Sequence, residues 1–170
     1  MHKNYFNKSN IIFLFTILNS LFFSIEAHST QQIQEVNYFG SLRANETNIR
    51  SGPGSNYPIK FSFKAKNLPV KVISEYDNWC EIEDYEGSRG WVAQNLITKK
   101  RHILIYSKRN LIDMFAKNTN QSRKIYNVEN YVIGEFIKCQ KDWCAVKIND
   151  KKGWIASEDI FGFNEKDIET

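Results

Sequence analysis

The sequence predicts an all-β protein built of two small β-barrels in tandem, and three observations support this prediction. All four tryptophans fall into two pairs, Trp79 with Trp91 and Trp143 with Trp154. A glycine directly precedes the second tryptophan of each pair. Around the tryptophans, short segments alternate apolar and polar residues and are separated by turn-forming residues, as β-strands joined by hairpins do.

The tryptophan pairs mark an internal repeat. Residues 77–82 align with residues 141–146, and residues 90–93 align with residues 153–156, at offsets of 63 or 64. A Trp-Cys pair recurs in the first segment and a Gly-Trp pair in the second, which indicates duplication rather than chance. A unit of ~60 residues with many short strands would leave exposed edges as a flat sheet, so we expect each unit to close into a barrel.

The N-terminal 27 residues have the pattern of a secretory signal. Lys3 and Lys8 precede an apolar run over residues 11–25, and Ala27 is a small residue at which a signal peptidase would cut. As a helix the run would span about 22 Å, short of the ~30 Å hydrocarbon core of a bilayer. We therefore expect cleavage after Ala27, a periplasmic or secreted protein and no stable membrane span after cleavage. The alternative is an uncleaved membrane anchor.

These features divide the chain into six segments. The predicted leader is polar, and the predicted linker is the basic run Lys99-Lys100-Arg101-His102. A barrel of this size buries only about 60% of the surface of its unfolded chain, so we expect the two barrels to pack together. The segments are a signal peptide over 1–27, a flexible leader over 28–39, the first domain over 40–98, a linker over 99–102, the second domain over 103–163 and a tail over 164–170.

Residues 48–54 carry a distinctive pattern, Asn-x-Arg-x-Gly-Pro-Gly, which precedes the Trp79 strand and the Gly-Trp-Val of residues 90–92. This order resembles bacterial SH3-like domains, and the second unit is similar to a tandem periplasmic type of that family. The second unit departs from the pattern, because residues 114–118 stand where Arg-x-Gly-Pro-Gly would be. The resemblance implies two SH3-like β-barrels over about residues 40–163. The residues that we expect to carry its structural motifs are Gly52, Pro53, Gly54, Gly90, Trp91, Trp143, Gly153 and Trp154.

The candidate ligand-binding residues all lie in the first unit and are Arg50, Tyr57, Trp79 and Tyr85. Trp79 follows a polar loop, where related eukaryotic SH3 domains place a tryptophan that faces the ligand. If Cys80 points inward, the alternation of a strand directs Trp79 outward. Arg50 has two interpretations: it anchors its own turn through carbonyl groups, or it faces a carboxylate of the ligand.

The three cysteines leave at least one thiol unpaired within a monomer. Cys139 and Cys144 lie on the two sides of a predicted hairpin, which brings their Cβ atoms within bonding distance. We therefore predict a Cys139–Cys144 disulfide and a buried Cys80 thiol on the core face.

The composition offers little for catalysis. Only His28 and His102 follow the predicted signal peptide, one at the expected new terminus and the other in the expected linker. A Cys–His hydrolase needs a base beside the thiol, and a zinc site needs more ligands than Cys-x4-Cys supplies. We therefore expect a protein that is not an enzyme, with no metal and no cofactor.

Function follows from the resemblance and from the charge. The net charge is +4 and the basic residues are scattered, so no nucleic-acid partner is expected. The resemblance implies a binding module that recognises a cell-wall peptide (the peptidoglycan stem peptide) or an envelope protein of the periplasm. The alternative is a protein-interaction scaffold with no cell-wall ligand. The sequence makes no prediction of the oligomeric state.

Overall fold

The structure is a computed structural model and describes residues 32–169. The predicted signal peptide and its cleavage after Ala27 lie outside these residues. No helix within residues 32–169 is long and apolar enough to cross a bilayer. Strands account for nearly all the regular structure, interrupted only by short 3₁₀ turns.

The first repeat folds into a seven-stranded antiparallel sheet. Its spatial strand order is β3-β2-β6-β5-β4-β1-β7, so β1 pairs with β4 on one side and with β7 on the other. The strands are β1 Gln34–Leu42, β2 Thr47–Arg50, β3 Ile59–Phe63, β4 Pro69–Tyr76, β5 Trp79–Glu83, β6 Arg89–Ala93 and β7 Ile97–Thr98.

The second repeat forms a sheet of the same order, β10-β9-β13-β12-β11-β8-β14, with β15 added in parallel beside β11. The two sheets confirm the all-β fold of two tandem domains. The strands are β8 His102–Ile105, β9 Leu111–Phe115, β10 Lys124–Glu129, β11 Ile133–Gln140, β12 Trp143–Ile148, β13 Lys151–Ala156, β14 Ile160–Phe161 and β15 Ile168–Glu169.

Equivalent backbone hydrogen bonds show that the two repeats are structural copies. The Arg43 N–H donates to the Leu96 carbonyl at 2.9 Å, and the Tyr106 N–H donates to the Asp159 carbonyl at 2.9 Å. Arg43 and Tyr106 therefore occupy equivalent positions, as do Leu96 and Asp159. Two more equivalent pairs are Leu42 N to Leu68 O with Ile105 N to Val132 O, and Gln94 N to Asn78 O with Ser157 N to Asp142 O.

The glycine before each second tryptophan is explained by strand spacing. A Cβ atom added at Gly90 would lie 2.5 Å from Cγ2 of Ile49, and one added at Gly153 would lie 2.6 Å from Cγ of Met114. Ile49 lies on β2 and Met114 on β9, so the two close approaches are at equivalent places. Only glycine lets β6 and β13 approach these neighbours so closely.

Each sheet surrounds an apolar core, and the alternation predicted for β5 is present. Cys80 and Ile82 are fully buried, whereas Trp79 beside the turn is partly exposed. The buried core of the first domain is Leu42, Ile49, Leu68, Val70, Val72, Cys80, Ile82, Val92 and Ile97, joined by Leu104. The buried core of the second is Ile103, Ile105, Ile112, Met114, Val128, Cys139, Cys144, Val146, Ile148, Ile155 and Ile160.

Within the expected flexible leader over 28–39, the structure describes residues 32–39, and it differs from the expectation because β1 begins at Gln34 and pairs with β4. Val36 and Tyr38 pack against the first core. The segment is polar overall, but these alternate residues give it one apolar face, which the composition does not show. The Tyr38 hydroxyl also donates a hydrogen bond to Oε1 of Glu75 at 2.7 Å.

The expected linker and tail are also structured. His102 is the first residue of β8 and its ring is buried, with Nδ1 3.0 Å from the Ser41 hydroxyl of the first domain. Arg101 forms a bidentate pair with Asp167, and Glu169 of β15 pairs with Lys138 on β11. Both segments are therefore held by contacts distant in sequence, made by Arg101, His102, Asp167 and Glu169, which the local composition does not reveal.

The two domains pack against each other, as expected from their size. Phe39 and Phe161 meet edge to face with their ring centroids 5.2 Å apart. Leu104 of β8 belongs to the core of the first domain, and Phe161 packs against the same core. The domain junction is therefore built from apolar contacts as well as the buried Ser41–His102 hydrogen bond.

Candidate functional site

The turn after β2 is closed by contacts between its own residues. The Arg50 guanidinium donates to the Tyr57 carbonyl at 2.7 Å, and the Ser51 N–H donates to the Pro58 carbonyl at 3.0 Å. The Tyr57 ring lies so close to Gly52 that a Cβ atom there would overlap it. The hydrogen bond from Arg50 to the Tyr57 carbonyl is the contact expected if Arg50 anchors its own turn.

Trp79 lies in a groove that the sequence did not outline. It sits opposite Ala93 on β6 and Tyr76 on β4. The groove has a volume of about 390 Å³, and we call it the Trp79 groove. Its lining residues are Arg43, Asn78, Trp79, Ala93, Gln94, Asn95 and Ile97.

Arg43 provides the cation of the Trp79 groove. Its Nε donates to the Ile97 carbonyl at 3.0 Å, which fixes the guanidinium at the groove wall. Within residues 32–169 no carboxylate lies within 4.0 Å of it. Its remaining N–H groups are therefore available to a carboxylate or carbonyl of a ligand.

The structure brings some of the predicted site residues together and separates others. Arg50 is paired with Trp91, two residues along β6 from the Ala93 partner of Trp79, so these side chains share one face of the sheet. Tyr85 does not join them, because it lies at the domain junction with its ring centroid 5.1 Å from that of Tyr106.

The second domain has a different groove at the equivalent place. Trp143 lies opposite Ala156, as Trp79 lies opposite Ala93. Phe115 takes the position of Arg50 and packs edge to face on Trp143, at 5.6 Å between centroids. The resulting groove of about 280 Å³ is lined by Arg109, Asp113, Phe115, Asn120, Trp143, Ala156, Glu158 and Asp159.

A larger cleft lies beside that groove and was missed by the sequence analysis. We call it the Tyr131 cleft, and its volume is about 610 Å³. Its lining residues are Tyr106, Ser107, Lys108, Arg109, Tyr131, Glu158 and Asp159. A signal that could have revealed it is the presence of tyrosine, Tyr106 and Tyr131, at the positions equivalent to Arg43 and Asn67 of the first domain.

The cysteines are arranged as predicted. Cys139 and Cys144 form a disulfide and are directly opposite each other on β11 and β12. Cys80 is a buried free thiol. Burial and the nearby Glu75 carboxylate raise the pKa of Cys80 to about 11, so the thiol stays protonated and is a poor nucleophile.

His102, the histidine within residues 32–169, is buried at the domain junction. The pKa of His102 is lowered, because burial disfavours the charged ring and the Lys100 ammonium repels it. Within residues 32–169 no group of three or more His, Cys, Asp or Glu side chains is placed to hold a metal ion.

Comparison with known proteins identifies the family. Residues 43–99 and 108–162 each match the family model described as Bacterial SH3 domain, and together they cover more than half of the chain. The chain belongs to the bacterial SH3 domain family. Each match covers most of one sheet, with β1 and β8 lying just before the matched residues, and the two matches confirm the tandem arrangement predicted from the sequence.

One relative of this tandem SH3 chain is the Bacillus subtilis (strain 168) protein named "Putative N-acetylmuramoyl-L-alanine amidase YrvJ". The two sequences are 26% identical over an alignment of 167 positions, and the alignment covers 93% of this chain and 30% of the relative. The tandem SH3 chain therefore spans about 30% of the length of that relative.

Solved structures show partial similarity to the tandem SH3 chain. NlpC1 of Trichomonas vaginalis has a TM-score of 0.33 at 7% identity, with 74% of this chain and 46% of that protein covered. NlpC2 of the same organism has a TM-score of 0.36 at 8% identity, with coverages of 80% and 51%. An NlpC/P60 family protein from Bacillus cereus ATCC 10987 has a TM-score of 0.33 at 9% identity, with coverages of 74% and 56%.

Proposed function

We propose that this protein is a non-catalytic, extracytoplasmic module that binds the peptide part of the bacterial cell wall through the Trp79 groove. The observation that carries the proposal is the pairing, in one open groove of an SH3 domain, of a partly exposed indole with the Arg43 guanidinium. The name of the Bacillus subtilis relative, an amidase of N-acetylmuramoyl-L-alanine bonds, supports the cell wall as the place of action.

The chemistry of the groove suits a short polar peptide with carboxylates. The Arg43 guanidinium can donate charge-assisted hydrogen bonds to a carboxylate. The side-chain amides of Asn78, Gln94 and Asn95 offer both donors and acceptors for peptide groups, and Trp79 offers an apolar surface for a methyl or methylene group. A few polar groups placed around an apolar surface are typical of small-ligand sites.

We propose that the other candidate ligand-binding residues, Arg50, Tyr57 and Tyr85, do not contact the ligand in the Trp79 groove. Arg50 and Tyr57 hold the turn that ends β2, on the sheet face that also carries Trp79. Tyr85 belongs to the domain junction and not to this groove. We assign no catalytic step to the chain, since the amidase relative extends far beyond the segment that it matches.

The test is retention of the purified protein on isolated peptidoglycan sacculi at low ionic strength. Trp79→Ala should reduce the retained fraction, corresponding to an affinity loss of about ten-fold or more, as expected for a central aromatic residue of an interface. The matched control is Trp143→Ala, which removes the equivalent indole of the second domain and should leave retention unchanged. Wild-type protein that stays wholly in the supernatant, or equal retention of Trp79→Ala, would contradict the proposal.

A second candidate function is a protein-interaction scaffold with no cell-wall ligand. It is favoured by the second domain, where Phe115 replaces Arg50 and the Arg-x-Gly-Pro-Gly turn is absent. Crosslinking in cells tests it. Recovery of one protein partner without glycan supports the scaffold, whereas crosslinks to wall material count against it.

A further inference from the structure

We propose that the Tyr131 cleft of the second domain is a binding site for an uncharged sugar chain. The inference deepens the proposed function and rests on it in one respect, because the sugar chain would be the glycan strand of the same wall polymer. The site lies on different residues from the Trp79 groove, and the two are testable separately.

Two neighbouring aromatic rings line the cleft. Tyr106 and Tyr131 are 38% and 59% exposed, and their ring centroids lie 6.1 Å apart. Tyr85 of the first domain packs against both rings, at 5.1 Å and 5.9 Å between centroids. Such a cluster presents apolar ring faces together with hydroxyl groups, which is the pairing that a sugar with C–H and O–H groups requires.

The polar residues that line the cleft are held in place by hydrogen bonds. The Asp159 side chain is buried and accepts a hydrogen bond from the Ser107 hydroxyl at 2.5 Å, and Arg109 pairs with the same carboxylate. The Asn130 amide donates to the carbonyls of Ser107 and Arg109 at 2.8 Å and 2.6 Å. The segment that carries Arg109 is therefore fixed before any ligand arrives, which reduces the entropy lost on binding.

The charges of the cleft balance. Lys108 and Arg109 contribute two positive charges, and Glu158 and Asp159 contribute two negative charges. A cleft made for an anion or a cation would carry an excess of the opposite sign. Charged groups whose charges cancel instead offer hydrogen-bond donors and acceptors to hydroxyl and acetamido groups.

The backbone of Tyr131 supplies an independent observation. Tyr131 has φ of 65°, and the equivalent residue of the first domain, Asn67, has φ of 66°. Their N–H groups donate to the equivalent carbonyls of Ile105 and Leu42, both at 2.8 Å, so the fold needs this left-handed position. Asparagine adopts it readily and a bulky aromatic residue does so at a cost. An aromatic residue kept at a costly backbone position supports the inference that its ring binds the ligand.

The experiment uses the β-1,4-linked tetramer of N-acetylglucosamine as probe and isothermal titration calorimetry with the whole protein. Tyr131→Asn installs the residue that the first domain uses at this position. We expect its melting temperature to stay equal or to rise, while its affinity for the tetramer falls about ten-fold or more. Tyr131→Phe retains the ring and should bind within about three-fold of the wild type.

The matched control is Tyr126→Asn, which removes an exposed tyrosine of the same domain that does not line the cleft. It should leave tetramer affinity unchanged, as should Trp79→Ala. Absence of wild-type binding at millimolar tetramer, or unchanged binding by Tyr131→Asn, overturns the inference. If the tetramer does not bind while sacculus retention still depends on Trp79, this inference fails and the proposed function stands. If binding depends on Tyr131 but retention does not depend on Trp79, the proposed function fails instead.

Discussion

Gly90 and Gly153 are required by the distance between neighbouring strands. A methyl group at Gly90 would meet Cγ2 of Ile49 at 2.5 Å and the Arg50 carbonyl oxygen at 2.8 Å. Gly90→Ala should therefore lower the free energy of unfolding by about 1–3 kcal/mol, as overpacking does in a close-packed core. Urea denaturation followed by tryptophan fluorescence measures the change.

The control for this prediction is Ser55→Ala, an exposed position in the turn after β2. It should change the free energy of unfolding by less than about 0.5 kcal/mol. Equal stability of Gly90→Ala and the wild type would show that β6 and β2 are farther apart than the structure has them.

Arg50 and Arg43 show which side-chain contacts can be predicted from the sequence alone and which cannot. The anchoring part of Arg50 was foreseeable, because its acceptor, the Tyr57 carbonyl, lies seven residues away in the same turn. Arg43 was not foreseeable, because its acceptor on Ile97 is 54 residues away and depends on the pairing of β1 with β7. The aromatic neighbours of Tyr85 were not foreseeable for the same reason, since they come from the other domain.

Among the elements, the β4–β5 and β11–β12 hairpins are equivalent but closed differently. Cys139 faces Cys144 in the second domain, and Glu75 faces Cys80 at the same place in the first. Glu75 accepts a hydrogen bond from Tyr38 where the second domain has a disulfide. The first domain therefore has only one of the two cysteines of the equivalent disulfide, and this cysteine, Cys80, is a buried free thiol.

Glu75→Cys should complete that crosslink. Under oxidising conditions the introduced thiol should form a disulfide with Cys80, so that the variant contains no free thiol, whereas the wild type retains one per chain. A loop this short contributes about 2 kcal/mol on the chain-entropy model, offset by the lost Tyr38 hydrogen bond. Thiol titration of the denatured protein measures the count. A variant with two titratable thiols would contradict the equivalence of the hairpins.

The strands around the tryptophans were predicted from the sequence, and the ends of the ordered chain were not. β5, β6, β12 and β13 follow from alternation and turn residues, which are local properties. The first half of β1 and the short β15 are ordered by pairing with β4 and β11, which are distant in sequence. Long-range pairing of this kind leaves little trace in composition.

In the whole molecule, the buried His102 at the domain junction makes stability depend on pH. Its pKa is lowered by burial and by Lys100, while the Glu135 carboxylate acts in the opposite direction. The unfolded chain, with an ordinary histidine pKa near 6.5, therefore binds the proton more tightly than the folded chain. The stability that comes from the neutral, buried His102 is fully present above about pH 6.5 and is lost as the pH falls below that value.

Urea denaturation at about pH 8 and about pH 5 tests this dependence. The free energy of unfolding should be lower at the acidic pH, and His102→Gln, which cannot take up the proton, should show a smaller difference between the two. The same difference in both proteins would place the pH dependence on other groups.

The junction formed by Phe39, Phe161 and the Ser41–His102 contact has a consequence for any ligand long enough to reach both domains. Because the two domains are held together by buried contacts, the ligand-binding surfaces on them stay at a constant distance from each other. A polymer whose own repeat matches that separation gains avidity, since its second attachment is intramolecular and raises the overall affinity by roughly 10²–10⁴ over a single attachment. Fragments too short to bridge the two halves forgo this gain.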